Sequence, residues 1–459
     1  MFAPELLEDR RLFSADSLIS STFAAHRAAD TVYIESNNPA AGANAVLGFH
    51  RDSVTGALSP LPGGPFLTNG AGFYNSQELL GPDDSDKEVI ASPDGKFLFA
   101  VNQGSNSVAV FRILDDGSLD LVDGHAFPSG GTQPDSLALN GNVLYVTNRG
   151  DAEMGVAGTI APNYTAFTVN HDGSLSAIPG STVTLPVGLS PAQALVSDDG
   201  QFLFGDNFTP PPLLSVAGSN TIEPFQIGSS GTLTPAKGGG VGAAVSPPLI
   251  LGLAQNPNAN IIYAGLPGTG QLAVFTFNDK GALKFIRAID TQGGGTCWVA
   301  INSDGTRLYT SDSGTDSVGV FSLDDPKNPV LIQEFSLGGP KSPTAGGANE
   351  TVNFQLALDP SGTHLYLLNH QTAADGSFTA GNQIHSLLIN PDGTLSEPGG
   401  SPLLIPSSLV PAGSHPQGLA VITTTDDSRL YYNLFSNQSI QDNNDDLRHA
   451  AGDLLDLLR

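Results

Sequence analysis

A three-residue pattern, glycine followed by a small residue and leucine, recurs at nearly constant spacing along this chain. Its copies begin at Gly56, Gly117, Gly173, Gly231, Gly281 and Gly393. The steps between these glycines are 61, 56, 58, 50 and 112 residues, and the last is twice 56. We therefore assign one further copy to the stretch 321–330, where Asp325 and Pro326 replace the glycine. Self-similarity at such a period indicates a repeat architecture, here a unit repeated seven times.

Each unit contains four short runs of aliphatic, β-branched and aromatic residues that are separated by turn residues. In the unit 87–122 the first two runs flank Pro93-Asp-Gly95, and related turns follow at Asn140-Gly141, Asp198-Asp-Gly200, Ser303-Asp-Gly305 and Pro360-Ser-Gly362. Asn or Asp followed by Gly supplies the positive φ that tight hairpins need. Such runs and turns predict a four-stranded antiparallel meander.

The N-terminal unit lacks its first strand. Its other strands are expected at Thr31–Glu35, Ala45–Phe49 and Leu58–Leu61, and the stretch 416–422 near the C-terminus supplies the missing one. A blade built from both chain ends closes a ring. The sequence therefore predicts an all-β fold, a seven-bladed β-propeller whose first strands line a central channel. Arg429–Tyr432 is an alternative second strand for the closing blade.

Composition narrows the classes of partner. Lys and Arg number 18 and Asp and Glu 45, for a net charge of −27, which argues against nucleic acids and anionic membranes. No apolar run reaches the roughly 18 residues of a membrane span. The single cysteine, Cys297, lies in a predicted strand, so we expect a buried, inert thiol and no Cys-based zinc site. We expect a monomer with no metal and no cofactor.

The repeats define one propeller domain, 29–435, because blades bury surface only against neighbouring blades. Residues 1–28 form an N-terminal extension in which Leu7-Glu-Asp-Arg10 resembles a short sorting element of exported bacterial proteins. That resemblance implies an extracytoplasmic location, in the periplasm or at the cell surface. Residues 436–459 form a polar tail that is either frayed or ends in a short amphipathic helix with Leu447, Leu454 and Leu458 near one face.

Polar residues at the channel mouth are the candidates for a functional site. In a meander, the first strand of a blade begins on the face where the second strand ends, so we expect a wet, amide-rich rim. The expected binding residues are Asn102, Asn148, Asp206, Trp298, Asp312, Gln355 and His415. The repetition of Asn also fits turn capping. Glu88, Arg149 and His370 do not repeat from unit to unit, so they are the catalytic candidates.

Three stretches, 92–111, 134–148 and 356–369, resemble the seven-bladed β-propeller lactonase family. That family includes bacterial 6-phosphogluconolactonases and fungal carboxymuconate-lactonizing enzymes, and the resemblance spans about residues 30–423, closest to an exported branch. It implies a propeller that opens lactones. The enzymes typically carry Pro-Arg-His before a late first strand and Asn-Glu after the next strand. This chain has the stretch 348–357 and Asn369-His370 at those places, so the Arg-His pair and the acid are missing.

Two functions remain. In a hydrolase for a sugar-acid or related lactone, Arg149 would stabilise the oxyanion and His370 or Glu88 would activate water. The alternative is a non-catalytic extracytoplasmic propeller that binds a protein, a glycan or a small ligand through the rim. A quinone-dependent dehydrogenase is disfavoured, because such propellers carry a Trp-rich motif in each blade and this chain has one tryptophan, Trp298.

Overall fold

A computed structural model describes residues 30–74, 84–152, 158–209, 216–337, 351–371, 382–406, 408–410 and 414–422. Several expectations lie outside these residues: the N-terminal extension 1–28, the alternative strand Arg429–Tyr432 and the tail 436–459. Among the described residues, no helix has the length and apolar character needed to span a membrane.

The strands of the first three blades alternate with short turns. The first blade contains β1 (Thr31–Glu35), β2 (Ala45–Arg51), β3 (Leu58–Pro60) and β4 (Phe66–Leu67). The second contains β5 (Val89–Ala91), β6 (Phe97–Asn102), β7 (Ser107–Ile113), β8 (Leu119–Leu121) and β9 (Phe127–Pro128), with short 3-10 helices at Gln103–Ser105 and Val122–Gly124. The third contains β10 (Pro134–Asn140), β11 (Val143–Asn148), β12 (Asn163–Val169), β13 (Leu175–Ala177) and β14 (Val183–Thr184).

The remaining blades follow the same order. The fourth contains β15 (Pro191–Val196), β16 (Phe202–Asn207), β17 (Ile222–Ile227) and β18 (Leu233–Pro235). The fifth contains β19 (Leu251–Gln255), β20 (Ile261–Leu266), β21 (Gln271–Phe277) and β22 (Leu283–Asp290). The sixth contains β23 (Thr296–Ile301), β24 (Arg307–Asp312), β25 (Ser317–Ser322) and β26 (Val330–Ser336). The seventh contains β27 (Thr351–Leu358), β28 (His364–Gln371), β29 (Gln383–Ile389), β30 (Leu395–Ser396) and β31 (Leu403–Leu404).

The last strand, β32 (Gln417–Ile422), pairs antiparallel with β1 and completes the first blade. The first strands of the other blades lie within two residues of their expected positions. These seven inner strands, β32, β5, β10, β15, β19, β23 and β27, each contact the next around a ring. The seven-bladed propeller and its closure by both chain ends are therefore confirmed.

Polar contacts also tie the first blade to the seventh. The guanidinium of Arg51 on β2 forms ion pairs with Asp359, at 3.1 Å, and with Asp30, at 3.0 Å. Asp359 lies in the turn after β27, and the hydroxyl of Tyr366 on β28 donates to the Gly56 carbonyl at 3.2 Å. Strand pairing, an ion pair and a hydrogen bond thus hold the closing junction together.

The hydrogen bond from Tyr366 belongs to a repeated contact between neighbouring blades. A tyrosine on the second strand of one blade donates its hydroxyl to the turn before the outer strand of the next blade. The other donor and acceptor pairs are Tyr33 and Gly117, Tyr263 and Pro326, and Tyr309 and Gly393. Pro326 accepts where the other blades use glycine, which confirms the hidden seventh copy at 321–330.

Apolar side chains fill the space between blades. Phe99 and Val110 of the second blade, for example, pack with Leu137, Leu144 and Phe167 of the third. Each sheet buries its two faces against its neighbours, as expected for a repeat architecture in which stability is shared between adjacent units. The inner strands are thereby held in fixed positions around the channel.

Candidate functional site

Residues Asp84–Glu88, which we call the channel segment, cross the inside of the ring just before β5. The Asp86 amide donates to the Ala192 carbonyl on β15 at 3.1 Å. The Lys87 carbonyl accepts from the Leu137 amide on β10, also at 3.1 Å. A segment that leads into the second blade therefore bonds to the inner strands of the third and fourth.

The same segment reaches the opposite side of the ring. The Ser85 carbonyl accepts from the Trp298 indole N–H on β23, at 2.8 Å, and from Gln355 Nε2 on β27, at 3.1 Å. Because the channel segment contacts the inner strands of four other blades, it lies within the channel and bridges its walls. Two expected binding residues, Trp298 and Gln355, hold it there.

Glu88 is the best-defined ionisable group of this region. Its Oε1 accepts from Ser85 Oγ and from Gln355 Nε2, both at 2.7 Å. Burial, followed by the charge of Asp86, raises the pKa of Glu88 to about 8, and the hydrogen bond from Ser85 opposes that rise. Glu88 Oε2 is buried and has no hydrogen-bond partner among the described residues. The carboxyl can therefore exchange a proton near neutral pH while one oxygen stays fixed.

Four other buried carboxyls lie near Glu88, one within the channel segment and three outside it: Asp86, and Glu35, Asp135 and Asp206. Burial raises the pKa of each, that of Asp206 to about 8. The charge of Glu88 adds to the rise for Glu35 and Asp135, and that of Asp86 adds to it for Asp206. In the described part of the chain, no group of three or more His, Cys, Asp or Glu is arranged as a metal site.

His370 lies near these carboxyls, but burial lowers its pKa, whereas burial raises that of Glu88. Its Nε2–H donates to the Pro416 carbonyl, and its ring lies 4.7 Å from that of Phe354, which in turn lies 4.2 Å from Trp298. Burial lowers the pKa of His370 to about 3, so the imidazole is neutral at physiological pH. The ring of His415 stacks on Tyr74 at 3.8 Å.

The structure thus brings five of the expected site residues into one neighbourhood. Glu88, Trp298 and Gln355 are joined by hydrogen bonds through Ser85. His370 joins them through Phe354, and His415 adds to the electrostatic field at His370.

Asn102, Asn148 and Asp312 instead share a structural environment at the ends of their second strands. Each forms a side-chain hydrogen bond to another residue of the propeller. Asn102 Oδ1 accepts from Asn44 Nδ2 at 2.9 Å, Asn148 Nδ2 donates to Thr165 Oγ1 at 3.2 Å, and Asp312 Oδ1 accepts from Thr296 Oγ1 at 2.5 Å. A glycine packs against each of these side chains so closely that a Cβ would lie within 2.7 Å of it: Gly70, Gly131 and Gly293. These contacts position the ends of the second strands. The partners lie outside the residues' own turns, so these hydrogen bonds are not the turn capping that the repeated Asn suggested.

The remaining two expected site residues are also enclosed. Asp206 Oδ2 accepts from the Gly252 amide at 3.1 Å. Arg149 lies directly after β11, where its amide donates to the Gln133 carbonyl at 2.9 Å, and it is engaged in a further interaction within the protein. The cation that acts on the pKa of Glu88 is Lys87.

The expected wet rim is wrong for these positions. All ten candidate side chains are buried, with exposures between 0 and 4 %, and two of them, Trp298 and Gln355, are covered by the channel segment to which they donate hydrogen bonds. Cys297 is buried as expected, and burial raises the pKa of its thiol well above the usual value. Ser85 and the bridging role of the channel segment were not predicted from the sequence. The signal that could have indicated them is the polar run before the short strand β5.

Comparison with known proteins agrees with the fold. The family model described as "Lactonase, 7-bladed beta-propeller" matches residues 80–159 and 214–375, together more than half of the chain. No curated protein sequence matches significantly.

Solved structures share the architecture at low sequence identity. A candidate 6-phosphogluconolactonase from Bacteroides fragilis is 18 % identical with a TM-score of 0.60, covering 87 % of this chain and 99 % of that one. The periplasmic gluconolactonase of Pseudomonas aeruginosa is 17 % identical with a TM-score of 0.57, covering 86 % and 100 %. A hypothetical selenium-binding protein from Sulfolobus tokodaii is 10 % identical with a TM-score of 0.58, covering 86 % and 93 %. These likenesses show a shared fold, while the family match, seen together with the seven closed blades, makes this chain a member of the seven-bladed β-propeller lactonase family.

Proposed function

We propose that this protein hydrolyses a lactone and that Glu88 is its acid–base group. The observation that carries the proposal is the Glu88 carboxyl, held by Ser85 and Gln355 with a pKa of about 8. A general base is most effective when its pKa lies near the working pH. His370, with a pKa near 3, is a much weaker base and supplies no positive charge.

Hydrolysis requires Glu88 to accept one proton and later to return it. Ionised Glu88 takes a proton from water through Oε2, and the resulting hydroxide attacks the lactone carbonyl carbon. As the ring C–O bond breaks, Glu88 returns the proton to the leaving alkoxide oxygen. Because Glu88 is 0 % exposed, the channel segment must shift to admit water and substrate to Oε2.

A sugar-acid lactone is the proposed substrate class. Two proteins of the same fold are named for gluconolactone or its phosphorylated form, and the family match supports lactone chemistry for this chain. One of these proteins is named as periplasmic, which together with the sorting-like Leu7–Arg10 supports an extracytoplasmic location.

The test is hydrolysis of glucono-δ-lactone and 6-phosphoglucono-δ-lactone, followed by pH-stat titration with the uncatalysed rate subtracted. We expect kcat for Glu88→Gln to fall about 100-fold or more, since a positioned acid–base group contributes about 10²–10⁴. The wild-type rate should rise with pH and level off above about 8, the pKa of Glu88. Asp120→Asn, a change of an exposed carboxyl on β8, is the matched control and should leave the rate unchanged.

Full activity in Glu88→Gln would remove Glu88 from the mechanism. A wild-type protein that opens neither lactone would contradict the function itself and favour the second candidate, a binding propeller. The observation in favour of that candidate is the replacement of the family's Arg-His pair and acid by the stretch 348–357 and Asn369-His370. The expected readout would then be retention of a protein, glycan or small ligand by the intact propeller.

A further inference from the structure

Lys87 differs from every other member of the channel segment. Asp84, Ser85, Asp86 and Glu88 are buried, whereas the Lys87 side chain is 35 % exposed. A segment enclosed by the inner strands of several blades therefore presents one cationic side chain to solvent.

The backbone at Lys87 is held in an uncommon conformation. Its φ is +68°, in the left-handed region that residues other than glycine seldom adopt. The Asp86 carboxylate accepts from the Lys87 amide at 2.9 Å, and the Leu137 amide donates to the Lys87 carbonyl at 3.1 Å. Tertiary contacts thus impose this conformation, and strained residues of this kind are concentrated at functional sites.

The charge of Lys87 is close to the proposed acid–base group. Its ammonium forms an ion pair with Asp86 Oδ2 at 3.6 Å, and its charge lowers the pKa of both Asp86 and Glu88. At that distance and 35 % exposure the ammonium keeps donors for a ligand. Arg149, by contrast, is 0 % exposed and already engaged within the protein. Because the chain carries a net charge of −27, an anionic ligand needs a local cation to offset the field.

We propose that the Lys87 ammonium binds the phosphate or carboxylate group of an anionic lactone and so determines substrate preference. This inference rests on the proposed hydrolysis, and the role that it gives to Lys87, binding the anionic group of the substrate, is distinct from the oxyanion role expected of Arg149. Lysine is suited to the task, because its ammonium is a compact point charge with three donors on a flexible stem.

The experiment compares Lys87→Met, Lys87→Arg and the control Lys96→Met in the full chain. Lys96 lies in the turn of the same blade, where its ammonium pairs with Asp94 at 3.0 Å, and its side chain is 72 % exposed. Two quantities are measured: the ratio of kcat/KM for 6-phosphoglucono-δ-lactone to that for glucono-δ-lactone, and the Kd for 6-phosphogluconate by calorimetry. Thermal melting establishes that each variant is folded.

We expect Lys87→Met to lower the ratio and weaken 6-phosphogluconate binding at least tenfold. Lys87→Arg should recover most of the kcat/KM ratio and most of the 6-phosphogluconate affinity, and Lys96→Met should match the wild type in both quantities. An unchanged ratio and Kd in folded Lys87→Met would overturn the assignment while leaving lactone hydrolysis intact. If the wild type opens no lactone but binds 6-phosphogluconate, and Lys87→Met abolishes that binding, the proposed function fails and the Lys87 site stands. Absence of both turnover and binding in the wild type would overturn both.

Discussion

A buried carboxyl next to a serine hydroxyl is the central feature of this protein at the scale of single residues. Glu88 is enclosed by protein, yet its pKa of about 8 leaves it able to gain and lose a proton near neutrality. Desolvation disfavours the ionised form, and hydrogen bonds to the carboxylate favour it. Ser85 and Gln355 supply such bonds, so they tune the acid as well as position it.

Replacing Ser85 by alanine should therefore raise the pKa of Glu88, because the carboxylate loses a donor at 2.7 Å. The measurement is the pH dependence of lactone hydrolysis, whose rising limb should move to higher pH by about one unit. Ser92→Ala, in the exposed turn of the same blade, is the control. An unmoved limb would mean that the activity follows a group other than Glu88.

Repeated contacts between blades dominate at the scale of the elements. The same tyrosine position that reaches the next blade in four blades is occupied by Phe99 in the second and Phe204 in the fourth. Tyr145 in the third blade has the hydroxyl, but it is buried without a hydrogen-bond partner among the described residues. The same position therefore carries a tyrosine that bonds to the next blade in four blades, and a phenylalanine or, within the described residues, an unpaired tyrosine in the other three.

This difference allows a matched stability test. Tyr33→Phe removes a buried hydrogen bond of 2.7 Å to the Gly117 carbonyl and should lower the free energy of unfolding by about 1–2 kcal/mol. Tyr145→Phe removes only an unpaired hydroxyl and should be neutral or stabilising. The denaturant midpoint of each variant measures the effect. Equal losses in both would show that the hydroxyls contribute through something other than these bonds.

At the scale of the whole molecule, we expect the buried carboxyls of the channel to make stability depend on pH. Glu88 and Asp206 have pKa values of about 8 when folded, against usual values of 4.5 and 3.8. A group whose pKa is raised by folding contributes stability that is present below its unfolded pKa and lost as the pH rises through its folded pKa. For these acids the stability falls between about pH 4 and pH 8.

We therefore expect the melting temperature to be higher at pH 5 than at pH 8.5. Each pKa unit corresponds to about 1.4 kcal/mol, so Glu88 alone accounts for on the order of 5 kcal/mol. Glu88→Gln and Asp206→Asn, which keep the shape and remove the titration, should flatten the profile when melting is followed by calorimetry across pH. A wild-type protein as stable at pH 8.5 as at pH 5 would contradict this account of the channel.

Repeat spacing, turn residues and the number of strands in each unit were together sufficient to predict the fold. The glycine pattern and the Asn-Gly and Asp-Gly turns are local signals, and the supply of a first-blade strand by residues 416–422 followed from counting the strands in each unit. The burial of Cys297 was also predicted, because it lies within a first strand. Glu88 was selected from the sequence as a catalytic candidate, since it is an ionisable residue that does not repeat, and that role stays a prediction.

What the sequence by itself determined is therefore the periodic part of this protein, which follows from hydrophobic alternation and turn chemistry within each unit. Only the tertiary structure decided that Asp84–Glu88 cross the channel, because that path depends on bonds between Ser85 and residues more than 200 positions away. The same contacts decided that the expected rim is buried, that His370 is neutral and that Lys87 alone of its segment reaches solvent. Local patterns do not show which polar strand ends are covered by distant segments or which charges approach from distant blades, and these quantities set the pKa of each group.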